Sequence, residues 1–241
     1  GMSENCQTKS IFEEISLAIP EEKNFPKQEI LSRVSRDEYL KTVKKLQQHI
    51  LKGDCYEICF CQEFYSPVTQ INPVKVFKKL SLLSPNPFST FYKTDQKYLL
   101  CASPERFLKR TGDIIISQPI KGTSKRSVNN AVNDEEETSL LLSDEKERSE
   151  NIMIVDLVRN DLSKICKEGS VSVKEYLKIH SFPQVHQMIS TIAGELDNGV
   201  SFTDILSATF PMGSMTGVPK KKVMELIDRY EISKRGLFSG A

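Results

Sequence analysis

Short strand-like runs crowd the middle of the chain, and this crowding limits the fold more than any other feature of the sequence. The runs lie at 88–93, 97–102, 106–110 and 113–118. Thr111 and Gly112 separate the last two runs, so we expect a hairpin there. Two longer runs follow at 170–180 and 184–196. Consecutive strands with helices between the groups predict an α+β fold of layered, mainly antiparallel β-sheets with flanking helices.

Helices are predicted before, between and after these groups of strands. Ser35 and Glu38 form a capping box, and an apolar stripe then continues as far as Gly53. Pro73 is placed to open a second helix. Further helices are expected at about 135–164, at 202–209 and from Pro219 onward.

The sequence also predicts a further strand, two loops and an N-terminal arm. Alternating apolar residues predict a strand over 54–64, polar residues predict a loop over 123–134, and two glycines predict a loop over 211–218. Residues 1–34 are polar and contain two prolines, which indicates an N-terminal arm or linker before a domain that spans 35–241.

The charge balance and the apolar runs exclude several classes of protein. The chain has 33 Lys and Arg residues against 32 Asp and Glu residues, a formal net charge of +1. A nucleic-acid-binding or membrane-surface protein would carry an excess of basic side chains, so neither partner is expected. No apolar run approaches the ~20 residues that cross a bilayer. The six cysteines include no Cys-x-x-Cys pair, which favours reduced thiols and a cytoplasmic location.

Glu147 and Glu150 are candidate metal ligands. Residues three apart lie on one face of a helix, so both carboxylates can reach the same point. Hard oxygen donors of this kind suit Mg²⁺, which keeps several waters and takes few protein ligands. The alternative is an exposed acidic turn that pairs with Lys146 and Arg148, and spacing alone favours that alternative.

Glu105 and Lys121 are candidate catalytic residues. Glu105 stands between two short apolar runs, where partial burial would keep its carboxyl protonated as a general acid requires. A strand-edge carboxylate paired with Arg106 is an equally good explanation of Glu105. Lys121 ends a strand-like run and precedes Gly122, which would leave its amine open to a substrate, although most lysines are only surface charges.

Three motifs, taken together and in this order, resemble one enzyme family. The motifs are Ser103–Phe107 (SPERF), Pro119–Thr123 (PIKGT) and Gly213–Lys220 (GSMTGVPK). The chain is similar from about residue 35 to residue 241 to the chorismate-utilising enzymes, which include component I of aminodeoxychorismate and anthranilate synthases. The resemblance implies an anthranilate synthase component I-like fold, chorismate as substrate, Mg²⁺ as cofactor and ammonia from a glutamine amidotransferase subunit.

The resemblance also implies a role for each candidate residue. Lys121 is typical of aminodeoxychorismate synthases, whereas anthranilate synthases have Ala at this position. Its amine would add to C2 of chorismate while Glu105 protonates the departing C4 hydroxyl. Ammonia would then enter at C4 and give 4-amino-4-deoxychorismate, on the route to p-aminobenzoate and folate. Glu147 and Glu150 would hold Mg²⁺, and the substrate pocket would be lined by Gly122, Thr123 and Ser214.

A lysine nucleophile must be neutral, so we expect the pKa of Lys121 to be lowered. Burial, Mg²⁺, Lys125 and Arg126 would lower it, whereas Glu105 would raise it. An anthranilate-type synthase and a non-catalytic protein that binds a partner or metabolite remain the alternatives.

The chain departs from the family pattern in three places. The family continues beyond residue 241 with a further glutamate pair and a carboxylate-binding Arg, so the chain is expected to be a truncated form. Gln187 stands where the family has His, next to His186, which could compensate. Glu57 stands where the amine-forming enzymes have Gln and the isochorismate-forming enzymes have a water-activating Lys. An acid at this position argues against the hydroxylating chemistry, although Glu57 could equally be a structural strand residue.

Overall fold

The computed structural model describes residues 28–67 and 70–238 of the chain. Its largest sheet has five strands, and every strand pair in the described residues is antiparallel, which confirms the predicted fold class. The five strands are β6 (Arg106–Thr111), β7 (Ile114–Gln118), β8 (Ile120–Lys125), β9 (Ser172–Ser181) and β10 (Val185–Glu195). The predicted hairpin at Thr111 and Gly112 joins β6 to β7.

Strand β10 lies at the centre of this sheet. One of its edges carries β9, and its other edge is shared between two strands. Residues 192–195 pair with β7, and residues 185–189 pair with β8. Pro119 separates β7 from β8, since proline has no N–H to donate to a ladder. The 123–134 loop prediction is therefore wrong at its start, because β10 offers an edge with which residues 120–125 pair.

Two helices cover one face of this sheet. They are α3 (Ala131–Ser143) and α4 (Glu145–Ser163), which together replace the single predicted segment at 135–164. Asp144 separates them because its extended backbone ends α3 while its side chain accepts a hydrogen bond from the N–H of Glu147, 2.9 Å away. Apolar residues of α4 and β10, including Val155, Leu162 and Ile192, form the largest buried core cluster.

The N-terminal helices form as the sequence predicts. Helix α1 (Arg36–Leu51) begins with the Ser35–Glu38 capping box, and α2 (Pro73–Leu83) begins with Pro73 after an Asn72 cap. The predicted strand over 54–64 is mostly wrong, because only β2 (Glu57–Ile58) and β3 (Phe64–Tyr65) are strands.

The predicted N-terminal arm lies mostly outside the described residues. Within its described part, 28–34, strand β1 (Leu31–Ser32) pairs with β3. The remaining pair of strands in the first half of the chain is the hairpin of β4 (Phe88–Thr94) and β5 (Lys97–Ser103).

The C-terminal elements provide the strand that pairs with β2. Helix α5 (Phe202–Thr209) forms as predicted, and the expected loop at 211–218 contains the single turn α6 (Gly213–Thr216) and β11 (Gly217–Val218). Helix α7 (Lys220–Tyr230) follows and packs against α1 through a buried apolar cluster. Strand β11 pairs with β2, and a Cβ at Gly217 would overlap the carbonyl oxygen of Glu57. Among the described residues, no helix is long and apolar enough to span a membrane.

Candidate active site

Lys121 lies on β8 with its side chain only 13% exposed. Its Nζ donates a hydrogen bond to Oε1 of Glu57 on β2, whose side chain is 10% exposed. The sulfur of Cys59 lies 3.6 Å from the same nitrogen. Lys121 is therefore a buried, paired amine rather than a surface charge.

A buried polar network fixes the backbone at Lys121. The side-chain amide of Asn151 on α4 donates to the carbonyl oxygens of Lys121 at 3.2 Å and Met188 at 3.0 Å. Its oxygen in turn accepts a hydrogen bond from the hydroxyl of Ser190 at 2.7 Å. Both Asn151 and Ser190 are almost completely buried. This network joins β8, β10 and α4, so it sets the position from which the lysine side chain projects.

Gly122 brings the start of α4 close to β8. Its φ of +92° suits glycine, and a Cβ there would lie 3.3 Å from each of Glu147, Leu141 and Met188. The next residue, Thr123, is exposed. Gly122 thus allows the helix that carries Glu147 to pack directly beside the strand that carries Lys121.

Glu105 lies between β5 and β6, and its side chain is partly buried. Its Oε1 accepts a hydrogen bond from the hydroxyl of Ser214 at 2.5 Å and from the N–H of Ile120 at 3.4 Å. Burial raises the pKa of Glu105, against the opposing effects of these hydrogen bonds and the charge of Lys121. The alternative pairing with Arg106 is wrong, because Arg106 donates to Gln118 at 2.9 Å.

A cavity opens beside Glu105 and Ser214. It encloses about 340 Å³ of empty space, part of it open to solvent, and Lys121 does not line it. Its walls are mainly apolar, but the buried Asp161, which is paired with Lys220, also lines it. The cavity therefore reaches the carboxyl of Glu105 from the side of α4 and α6.

Glu147 and Glu150 lie in the first turns of α4 and converge on one cation. The ammonium of Lys146 lies 2.9 Å from a carboxylate oxygen of each. Arg148 instead donates to the carbonyl oxygen of Leu142. Of the two basic residues expected to pair with these glutamates, only Lys146 does so. Lys146 is 69% exposed and can turn away, which would leave two carboxylates for a metal ion. Among the described residues, no cluster of three His, Cys, Asp or Glu side chains could hold a metal.

The expected lowering of the Lys121 pKa is wrong. Burial acts to lower the pKa of Lys121, but the interactions with Cys59, Glu57 and Glu150 outweigh it and raise the pKa. Burial also raises the pKa of Cys59, so this thiol is neutral near pH 7, and Glu57 is the carboxyl in contact with the lysine nitrogen. Arg126, which was expected to contribute to the lowering, is paired with Asp134 at 3.0 Å.

Glu57 is the functional candidate that sequence reasoning did not assign. Its sequence signal was the replacement of the family's Gln, which did not by itself distinguish a site residue from a strand residue. Burial raises the pKa of Glu57 despite the opposing hydrogen bond and charge of Lys121. The structure thus places Glu57 against the candidate nucleophile.

His186 does not compensate for the missing family histidine. Its ring is buried and contacts Asp134 at 3.0 Å and Ser181 at 2.8 Å, on the side covered by α3. Gln187 points to the other face of β10, as alternation in a strand requires. Its side-chain oxygen is buried and has no hydrogen-bond partner in the described part of the chain.

Comparisons with known proteins show the family of the chain. Residues 3–241 match the family described as chorismate binding enzymes. Anthranilate synthase component 1 1 of Haloarcula marismortui is 38% identical over 87% of this chain and 42% of its own length. Aminodeoxychorismate synthase component 1 of Bacillus subtilis is 34% identical over 86% of this chain and 44% of its own length.

A solved structure shares the fold. Anthranilate synthase component I of Streptococcus pneumoniae superposes with a TM-score of 0.83 at 29% identity, over 98% of this chain and 52% of that protein. The chain thus spans about half the length of the relatives that it matches. Two of these relatives are anthranilate synthases and one is an aminodeoxychorismate synthase, so sequence similarity identifies the family of this chain but not its reaction. On its motifs, its fold and these matches, the chain belongs to the chorismate-binding enzymes.

Proposed function

We propose that the enzyme containing this chain aminates chorismate at C4 and forms 4-amino-4-deoxychorismate. Ammonia comes from a glutamine amidotransferase partner, and the product leads to p-aminobenzoate and folate. The observation that carries the proposal is Lys121, a buried amine in the motif where the resemblance separates lysine-using members from the anthranilate type. The comparisons support chorismate as the substrate class through the family.

In this proposal Lys121 and Glu105 act in the same displacement reaction, Lys121 at C2 of chorismate and Glu105 at the C4 hydroxyl that leaves. The Lys121 amine forms a bond to C2, the ring double bonds shift, and the C4–O bond breaks. Hydroxide is a poor leaving group, so Glu105 must donate a proton to it as it departs. The raised pKa of Glu105 supports this role. Since Oε1 of Glu105 already accepts from Ser214 and Ile120, its second oxygen is the natural carrier of the proton.

The remaining residues bind and orient the substrate. Gly122 lets α4 pack directly beside the strand that carries Lys121, Thr123 offers an exposed hydroxyl, and Ser214 donates a hydrogen bond to Glu105. Glu147 and Glu150 fit Mg²⁺, since their oxygens already share one cation and the ion accepts few protein ligands. When bound, Mg²⁺ would neutralise charge on the dicarboxylate substrate.

Product analysis of the complete enzyme with chorismate, Mg²⁺ and ammonium tests the proposal. Wild type should form aminodeoxychorismate without releasing pyruvate, and Lys121→Ala should lose at least about a hundredfold in rate, as expected when a covalent route is removed. Lys125→Ala is the matched control, because it removes an exposed amine from the end of the same strand. Equal rates for Lys121→Ala and Lys125→Ala would refute the role of Lys121.

An anthranilate-type reaction is the second candidate. It is favoured by anthranilate synthases that match the chain as well as aminodeoxychorismate synthases do. It eliminates pyruvate, so release of pyruvate in step with amination would establish it. Chorismate binding without turnover by the complete wild-type enzyme would instead support the non-catalytic alternative.

A further inference from the structure

Glu57 and Lys121 form a buried ion pair, with side chains that are 10% and 13% exposed. One oxygen of Glu57 contacts the ammonium of Lys121, and the other oxygen has no hydrogen-bond partner within residues 28–67 and 70–238. A buried carboxylate oxygen without a donor is costly, and a proton on that carboxyl would reduce the cost. The pair is therefore built so that moving one proton from nitrogen to oxygen removes two buried charges.

The backbone holds the two partners in place. Glu57 is fixed by the pairing of β2 with β11, where Gly217 permits the close approach of the two strands. Lys121 is fixed by the hydrogen bond from Asn151 to its carbonyl oxygen. Proton transfer between them needs no rearrangement of either strand.

Other titratable groups around the pair come from three elements. Cys59 follows β2 and lies 3.6 Å from the nitrogen of Lys121. Glu150 and Lys146 on α4 act on the pair through their charges, with opposite signs. Glu105 interacts with the charge of Lys121 from the turn between β5 and β6. Within the described chain, the side chains of Glu57 and Cys59 are the ones that contact the lysine nitrogen, and of these two only Glu57 is a ready proton acceptor.

We propose that Glu57 is a further catalytic residue, which takes the proton of Lys121 before attack and returns it after the lysine is displaced. The inference rests on the proposed function, in which Lys121 is the nucleophile. A nucleophilic lysine must be neutral, but the raised pKa of Lys121 keeps its amine protonated in the resting protein. Proton transfer to Glu57 produces the neutral amine within the pair, without loss of a proton to solvent.

The protons balance through the reaction. An N–H bond of Lys121 breaks as an O–H bond forms on Glu57, and the free amine adds to C2 as a secondary ammonium. Glu105 loses its proton to the departing hydroxide, which leaves as water, and recovers a proton from solvent. Ammonia then forms the C4–N bond and expels Lys121 as a neutral amine, which recovers its proton from Glu57.

The pair makes a distinctive prediction about pH. Transfer within the pair exchanges no proton with solvent, so the fraction of neutral amine is constant while the pair holds one proton. A lysine that must lose its proton to water gains about tenfold in neutral amine for each pH unit below its pKa. The reactivity of Lys121 should therefore be flat where that of ordinary lysines rises.

Competitive labelling with acetic anhydride measures this reactivity without chorismate. Trace labelling in chelator from about pH 6 to about pH 8, followed by peptide mass spectrometry, compares Lys121 with the exposed Lys41. We expect Lys121 in wild type to change less than about twofold over this range while Lys41 rises about tenfold per unit. In Glu57→Gln, Lys121 should rise with pH as Lys41 does until it reaches its own pKa.

Cys59→Ala is the control, since it removes the other contact of Lys121 without removing a charge, and it should keep the flat profile. A wild-type profile that rises in parallel with Lys41 overturns the inference, and so does a flat profile in Glu57→Gln. If Glu57→Gln does not fold, the pH dependence of Lys121 labelling in wild type is by itself sufficient to test the inference. A flat profile in an enzyme that makes no aminodeoxychorismate would refute the proposed function and leave the proton transfer standing.

Discussion

Asn151→Ala should destabilise the protein by about 3 kcal/mol, although it removes only a few atoms. The side chain satisfies three buried groups, namely the carbonyl oxygens of Lys121 and Met188 and the hydroxyl of Ser190. An unsatisfied buried group costs roughly 1–3 kcal/mol, and the low end of that range for each of three groups gives about 3 kcal/mol. With a urea slope of about 3 kcal/mol per molar, the unfolding midpoint should fall by about 1 M.

Urea unfolding followed by far-UV circular dichroism measures this loss. Asn160→Ala is the matched control, because it makes the same change at an exposed position of the same helix and should stay within about 0.5 kcal/mol of wild type. A loss below about 1 kcal/mol in Asn151→Ala would refute the reasoning, since it would mean that water or a shift of α4 satisfies the two carbonyls.

Three further predictions concern the metal site, the thiols and the buried pair. Glu147→Gln combined with Glu150→Gln should abolish the Mg²⁺ response of turnover while leaving far-UV circular dichroism unchanged, and a normal Mg²⁺ response in this double variant would refute the assignment. Denaturing alkylation without reductant should label all six cysteines, and an intramolecular disulfide in the mass spectrum would contradict it. In Lys121→Met, the free energy of unfolding should fall as the pH rises from about 4.3 to the raised pKa of Glu57. Over this range Glu57 keeps its proton in the folded variant but has lost it in the unfolded chain. A difference in stability from wild type that does not change with pH would count against burial of Glu57.

Local sequence patterns predicted those elements whose signals lie within the element itself. The capping box at Ser35, the proline at Pro73 and the turn at Gly112 each act over a few residues, and each element formed where expected. Strand β8 was missed because its partner is β10, some 60 residues later, and no local pattern in 120–125 reports that pairing. The strand predicted over 54–64 was too long for a similar reason, because β11 offers a partner for only two of its residues, Glu57 and Ile58.

The candidate site was predictable in its residue types and not in its electrostatics. Motif order pointed to Lys121 and Glu105, and the structure shows a buried Lys121 side chain and a partly buried Glu105 near the junction of β2, β8 and α6. The sign of the Lys121 pKa shift was not accessible, because it depends on Glu57, which lies 64 residues earlier in the chain. Only tertiary structure could show that this acidic residue meets the lysine.

Trapping of a covalent intermediate tests the central claim most directly. The complete enzyme, incubated with chorismate and Mg²⁺ but without ammonia or glutamine, should accumulate the adduct of Lys121 with chorismate. Mass spectrometry should then find the mass of chorismate less one water on the peptide that contains Lys121, and Lys121→Ala should show no such gain. Absence of the adduct in an enzyme that turns over normally when ammonia is added would contradict the account.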